Sequence, residues 1–196
     1  MSFILEVPEP LEIPPKEPID YKQKVVLPVA MRVAEETIGG RYVIAPDIVD
    51  KKYATDICDG QDKNKNRVNV RWRNIRCKNG YAHKCMLDEF TIRWTGHKNN
   101  NSEFHKLVLN VPKQSAKFMF YAVTDNFKIF RRWVFIDLEI WKSIMQSEFQ
   151  NEKPPRCVIK PINDQPGGEL LIFNYRDFPS EMIIRASDLP WVKKAQ

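Results

Sequence analysis

Three aspartates, Asp56, Asp59 and Asp62, run almost directly into a stretch where basic and apolar residues alternate: Arg67, Val68, Asn69, Val70, Arg71, Trp72, Arg73. Carboxylates are hard oxygen donors for magnesium. A metal held beside a phosphodiester, usually with a lysine close by, is the chemistry of hydrolytic strand cleavage. A helix glutamate, an aspartate on one strand and an acid-x-lysine on the next would supply such a centre. Glu35 or Glu36, then Asp56, then residues 67–73 follow that order. The expected metal ligands are therefore Glu36 and Asp56, and the expected ion is magnesium. The third element departs from the pattern, because it offers Asn69 and Arg71 where the acid and the lysine are needed. Arginine grips phosphate but keeps its proton, so it cannot readily serve in proton transfer. Asp50 and Lys52 have the acid-x-lysine spacing, but they precede Asp56 and break the order.

The same stretch reads equally as a surface for polyanions. No acid lies between Asp62 and Asp88, while Lys63, Lys65, Arg67, Arg71, Arg73, Arg76, Lys78 and Lys84 all do. A block of one sign attracts phosphate backbones and releases their counterions on binding. Trp72 and Tyr81, set among these cations, could stack on bases. The expected nucleic-acid contacts are these eight cations and Trp72. The competing reading is a solvated charged hairpin.

Glu103 and Lys106 lie one helical turn apart. They read either as an i,i+3 ion pair or as a carboxylate and an ammonium facing phosphate. Cys77, His83 and Cys85, with Cys58 or His97, lack the paired knuckles of a structural zinc site, so no zinc is expected. Neither a nucleophile elbow nor a phosphate-cradling glycine loop occurs.

The elements that would position these residues follow from periodicity. Residues 1–19 are proline-rich and read as an extended arm. Val26, Val29, Ala30, Val33 and Ala34 fall at helical spacing within 20–38. Pro28 kinks this helix or starts its main part, and the glycines at 39–40 stop it. Strand-like runs follow at 41–45, 53–57, 67–73 and 89–94, the middle two arranged as a hairpin. A short helix capped by Ser102 comes next, then the most apolar strands, 117–124 and 132–138. An amphipathic helix over 138–149 presents Leu138, Trp141, Ile144 and Met145, and 154–196 is a strand-rich extension of the same domain. The expected class is α+β, a mixed central sheet flanked by helices, with the core over 20–153.

A chain of 196 residues with 43% hydrophobic and 11% aromatic residues is long and apolar enough to bury a real core. Net charge is +6. No run is apolar enough to span a membrane and no signal-peptide pattern opens the chain, so a cytoplasmic protein with reduced thiols is expected.

The blocks "YATDI", "VNVRWR", "EFTIRWTGHKNNNSEFHKLV", "AKFMFYAVTD" and "RRWVFIDLEIWK" together resemble a group of uncharacterised phage-encoded proteins that is similar to the PD-(D/E)xK nuclease fold. The likeness covers about residues 50–145. It implies a restriction-endonuclease-like sheet, with Asp56 as the strand aspartate and Arg71 near the usual lysine position. Glu103 and Lys106 match the group's E-x-x-K block, with Ser102 and Phe104 in place of threonine and leucine. Ala116 and Lys117 stand where the group has Gly-Asp. The resemblance implies a protein that engages nucleic acid, DNA before RNA, inside a bacterial host. One form is a magnesium-dependent endonuclease with Glu36, Asp56, Arg71, Glu103 and Lys106 at its centre. The other is a catalytically degenerate binding or anti-defence protein that contacts a host partner.

Overall fold

The computed structural model describes residues 21–63, 65–75, 88–94, 102–110, 114–125, 129–150, 156–162 and 168–187. The first helical segment opens with a π-helical turn, Lys22–Val26, and continues as α1, Leu27–Ile38. Pro28 explains the change of pitch. It has no N–H to give to the preceding turn and its ring crowds that turn's carbonyl, so the chain widens there and the Leu27 N–H reaches back to the Lys22 carbonyl. Gly39, at φ 71°, ends α1 as the glycine pair predicts.

Strand β1, Tyr42–Ile44, is followed by a helix the periodicity did not announce, α2, Asp47–Tyr53. Asp47 and Asp50 stand in its first turn and Lys51 and Lys52 in its last, as the helix dipole favours. The expected strand over 53–57 shrinks accordingly to β2, Ile57–Asp59. The remaining strands are β3, Val68–Ile75, β4, Glu89–Trp94, β5, Phe118–Asp125, and β6, Ile129–Asp137. After helix α3, Leu138–Gln150, come β7, Val158–Pro161, β8, Glu169–Asn174, and β9, Ile183–Ala186. A π-helical turn, His105–Asn110, precedes β5.

Six strands form a mixed sheet in the order β1-β2-β3-β5-β6-β9. Only β3 and β5 run parallel; every other neighbouring pair is antiparallel. A second, antiparallel sheet has the order β4-β8-β7. The mixed α+β class follows.

Side chains on β5 alternate into two cores. Phe120 and Ala122 join Val68, Val70, Trp133 and Phe135 beneath Val29, Ala30, Val33 and Ala34 of α1. Met119, Tyr121 and Val123 face the other way, into a larger core with Phe90, Ile92, Leu107, Phe173 and Trp141 of α3. A strand buried on both faces must be apolar throughout, which is why β5 reads as one continuous hydrophobic run.

Four phenols are buried here, and burial raises the pKa of each: Tyr21, Tyr42, Tyr121 and Tyr175. Tyr42 is pushed up to about 12, chiefly by burial and secondarily by the Asp59 and Glu35 carboxylates. A folded-state pKa above the unfolded one leaves stability intact below the ordinary value of 10.0 and erodes it as pH climbs towards about 12. Tyrosinate absorbance should therefore rise in step with loss of far-ultraviolet circular dichroism above pH 10. Tyrosines that all ionise near pH 10 with the fold unchanged would contradict this burial.

Candidate anion-facing site

Asp56 lies between the left-handed exit of α2 at Ala54, φ 51°, and β2. A non-glycine residue in that region is disfavoured, so the turn needs outside support. Asn69 supplies it by donating its Nδ2 to the Ala54 carbonyl at 2.8 Å. The residue that stands where an acid was expected is therefore a buried backbone clamp. Asp56 itself is 8% exposed at its side chain. Its Oδ2 accepts the Val70 N–H at 2.7 Å, and its Oδ1 is ion-paired with Lys22. No local pattern marks Lys22 as a partner of Asp56. It is placed by the π-helical turn and by its neighbour Tyr21, whose ring packs 5.2 Å from that of Trp72.

Glu103 comes to the same region from the start of the 102–110 segment, where Ser102 accepts the His105 N–H. Its side chain is only 3% exposed, and it does not pair with Lys106. Oε1 accepts from Arg71 Nε at 2.5 Å and Oε2 accepts the Arg93 N–H at 3.0 Å. Arg71 thus sits between two acids. Burial opposes its charge, but Glu103, Asp56 and Asp50 outweigh that and hold the guanidinium more firmly protonated than usual. Asp50, on α2, belongs to the same group. Asp50 is exposed at the surface, but loss of part of its hydration to the surrounding protein, then the Asp56 charge, raise its pKa against the pull of Lys22, Arg71 and Lys106. Six charged residues from four parts of the chain therefore meet at one spot, with Asp56 and Glu103 beneath and the cations nearer solvent. Lys22 and Arg71 side chains are 30% and 29% exposed, and Lys106 is half-buried.

Glu36 does not join them. Its carboxylate is held at 3.0 Å by Arg32 and at 3.0 Å by Arg185 of β9, at the far edge of the sheet from β2. The Arg32 hydrogen bond is the main cause of its lowered pKa. Glu35 instead accepts the Tyr42 N–H at 3.0 Å. The expected Glu36–Asp56 ligand pair is thus not assembled. The helix periodicity correctly placed both glutamates at the end of α1, but that end abuts β1 and β9.

The alternating cations of β3 are also corrected. Arg67 is buried. It donates Nε to the Lys63 carbonyl at 2.9 Å and Nη1 to the Gln114 carbonyl, and it lies 4.3 Å from the Tyr53 ring centroid. Arg73 faces Glu89 of β4 at 3.8 Å. Trp72 points to the opposite face and packs on the α1 core, so it is no open stacking platform. Strict alternation put the arginines on one face of β3, and that face is the one covered by β4 and the 102–110 segment. Lys63 and Lys65 are exposed. Arg76, Lys78 and Lys84, with Tyr81, lie outside the described residues, as do Cys77, His83, Cys85 and His97. Cys58 is buried.

A magnesium ion needs carboxylate oxygens turned to it. Each oxygen of Asp56 and of Glu103 already accepts a cation or a backbone N–H. Among the described residues no group of three or more His, Cys, Asp or Glu side chains stands close enough to hold a metal. The residues present do not fit the expected ion. No described helix is long and apolar enough to cross a membrane. Comparison with family models, curated proteins and solved structures found no match for this chain.

Proposed function

We propose that this chain engages nucleic acid, DNA before RNA, on a PD-(D/E)xK-like scaffold of the phage-encoded kind it resembles, and that it binds without cutting. One observation carries the reading: the two buried acids of the site are spent on holding cations outward. Asp56 fixes Lys22, and Glu103 fixes Arg71. A metal centre for phosphodiester hydrolysis calls for the reverse, with carboxylates presented and the lysine beside them. Among the described residues, Arg71 gives only its Nε to an acceptor, and a guanidinium carries four further N–H donors. Arg71, Lys22 and Lys106 suit a phosphate oxygen, and exposed Lys63 and Lys65 extend the contact.

Anisotropy titrations of single-stranded and duplex DNA, with matched RNA, across a salt series test this. Affinity should fall steeply with salt, and Lys22→Gln and Lys106→Gln should each weaken binding uniformly across sequences and reduce the salt slope by about 1. A salt-independent response removes the phosphate contact and leaves a protein partner, such as a host defence protein. Plasmid incubated with magnesium or manganese should stay intact. Cleavage that disappears in Asp56→Asn would instead establish the endonuclease.

A further inference from the structure

Strand β1 ends the six-stranded sheet on the side away from β9, and it is apolar there. Val43 is 40% exposed and Ile44 58% exposed, and Ile48 at the start of α2 is 75% exposed. Sheet edges are commonly blunted by a charge or a proline on the edge strand itself. Tyr42, Val43 and Ile44 supply neither. The edge is therefore open to pairing, and its backbone restricts what can pair with it.

The Arg41 carbonyl accepts the Gly60 N–H at 2.7 Å, and the Ala45 N–H donates to the Asp56 carbonyl at 2.9 Å. In an antiparallel pair the inward-facing backbone groups belong to alternate residues. Positions 41, 43 and 45 thus turn to β2, and Tyr42 and Ile44 turn to the outer edge. The Tyr42 N–H is already held by Glu35 Oε1 at 3.0 Å. The next position in the alternation is Pro46, which has no N–H. Among the described residues, Ile44 alone offers both a donor and an acceptor to an added strand. A second Ile44 matches it about a twofold axis, each N–H meeting the other's carbonyl. Symmetric antiparallel pairings centred on Tyr42 or on Val43 would call on the Tyr42 N–H that Glu35 occupies.

The register about Ile44 sets position 41 of one copy opposite position 47 of the other. Those positions are Arg41 and Asp47, both exposed, with the Asp47 side chain 95% exposed. An arginine–aspartate pair then closes each end of the joined strands. Ile44 meets its own copy, and Val43 lies across from Ala45. The contact of Asp47 with Lys51 within α2, at 3.8 Å, is a weak surface pair that does not compete strongly. Charges that complement themselves about a twofold axis suit a closed, isologous contact.

We propose that two copies of this chain associate through the outer edge of β1, antiparallel about Ile44, so that their six-stranded sheets become one continuous sheet. The strands are short, so the association is of the weak, transient class. It is independent of any ligand at the charged site.

Sedimentation of the full-length chain without nucleic acid, up to about 100 μM, tests this. The wild type should dimerise reversibly. Ile44→Lys, at an exposed position, should weaken the dimer at least about tenfold, with the melting temperature and circular dichroism unchanged. Arg41→Glu and Asp47→Arg should each do the same, because each sets like charges opposite one another. An equimolar mixture of those two variants should recover wild-type affinity as a heterodimer. In it Glu at 41 meets Arg at 47, and the unaltered Arg41 meets the unaltered Asp47. A wild type that stays monomeric would overturn the proposal and leave the edge to a different chain. A dimer indifferent to Ile44→Lys would overturn it too, as would a mixture no tighter than either charge variant alone.

Discussion

Asp56→Ala is expected to lower stability by about 3 kcal/mol, whatever it does to binding. Two groups lose their partner at once. The Val70 N–H is left without an acceptor inside the sheet, at a cost of about 1–3 kcal/mol. Lys22 loses its counter-ion in a site where removing one member of a buried pair typically costs about 3–5 kcal/mol. Lys22 keeps enough exposure to recover part of its hydration, which holds the total near the lower end. Asp56→Asn retains an acceptor for Val70 and should lose only about 1–2 kcal/mol. Urea denaturation of the two variants decides the matter, and an alanine variant as stable as the wild type would refute the structural role. Any activity lost in Asp56→Ala must therefore be weighed against unfolding, and the asparagine variant is the cleaner probe of chemistry.

The second large effect is in the core. Trp141 of α3 is fully buried and meets three rings near perpendicular: Phe173 at 5.4 Å, Phe104 at 6.1 Å and Phe90 at 6.3 Å. Trp141→Ala removes the side chain that joins α3 to both the 102–110 segment and the three-stranded sheet. A cost of about 4 kcal/mol follows from the cavity and the lost transfer energy. In a chain of this length, that lowers the melting temperature by about 8–16 °C. Trp141→Phe should recover more than half of the loss. A melting temperature within about 2 °C of the wild type for the alanine variant would show that the aromatic cluster is not the joint described.

Much of this architecture is legible in the sequence because long apolar runs leave few alternatives. The run "ELLIFN" forms β8 as read, "EFTIRW" forms β4, and α3 buries Leu138, Trp141 and Met145 as its spacing requires. Helix α2 was missed because seven residues give too little periodicity. Its charges, acids first and lysines last, show in the sequence only as an acid-x-lysine spacing at Asp50 and Lys52 that falls in the wrong order, although they are the pattern a helix dipole favours. The site was legible only in part, for a different reason. Periodicity tells which residues share a face of a strand, not what covers that face. Arg67, Arg71 and Arg73 do share one, but neighbours distant in sequence reach it: Glu103 pairs with Arg71, Glu89 with Arg73, and backbone carbonyls take Arg67, so the run is not an open basic ribbon. Lys22 was invisible for the same reason: nothing local marks a lysine that will meet an aspartate 34 positions later.

The pairing of β4 with β8 and of β6 with β9 has a consequence for how the chain comes off the ribosome. Each of these early strands waits for a partner near the C-terminal end. At a synthesis rate of about 5–20 residues per second, β4 has no mate for several seconds after it emerges. During that interval β6 also presents an open backbone edge and half of an apolar surface. Nascent chains stalled before residue 169 should therefore be the species most prone to clump and most dependent on chaperones, and release past β9 should abolish that dependence.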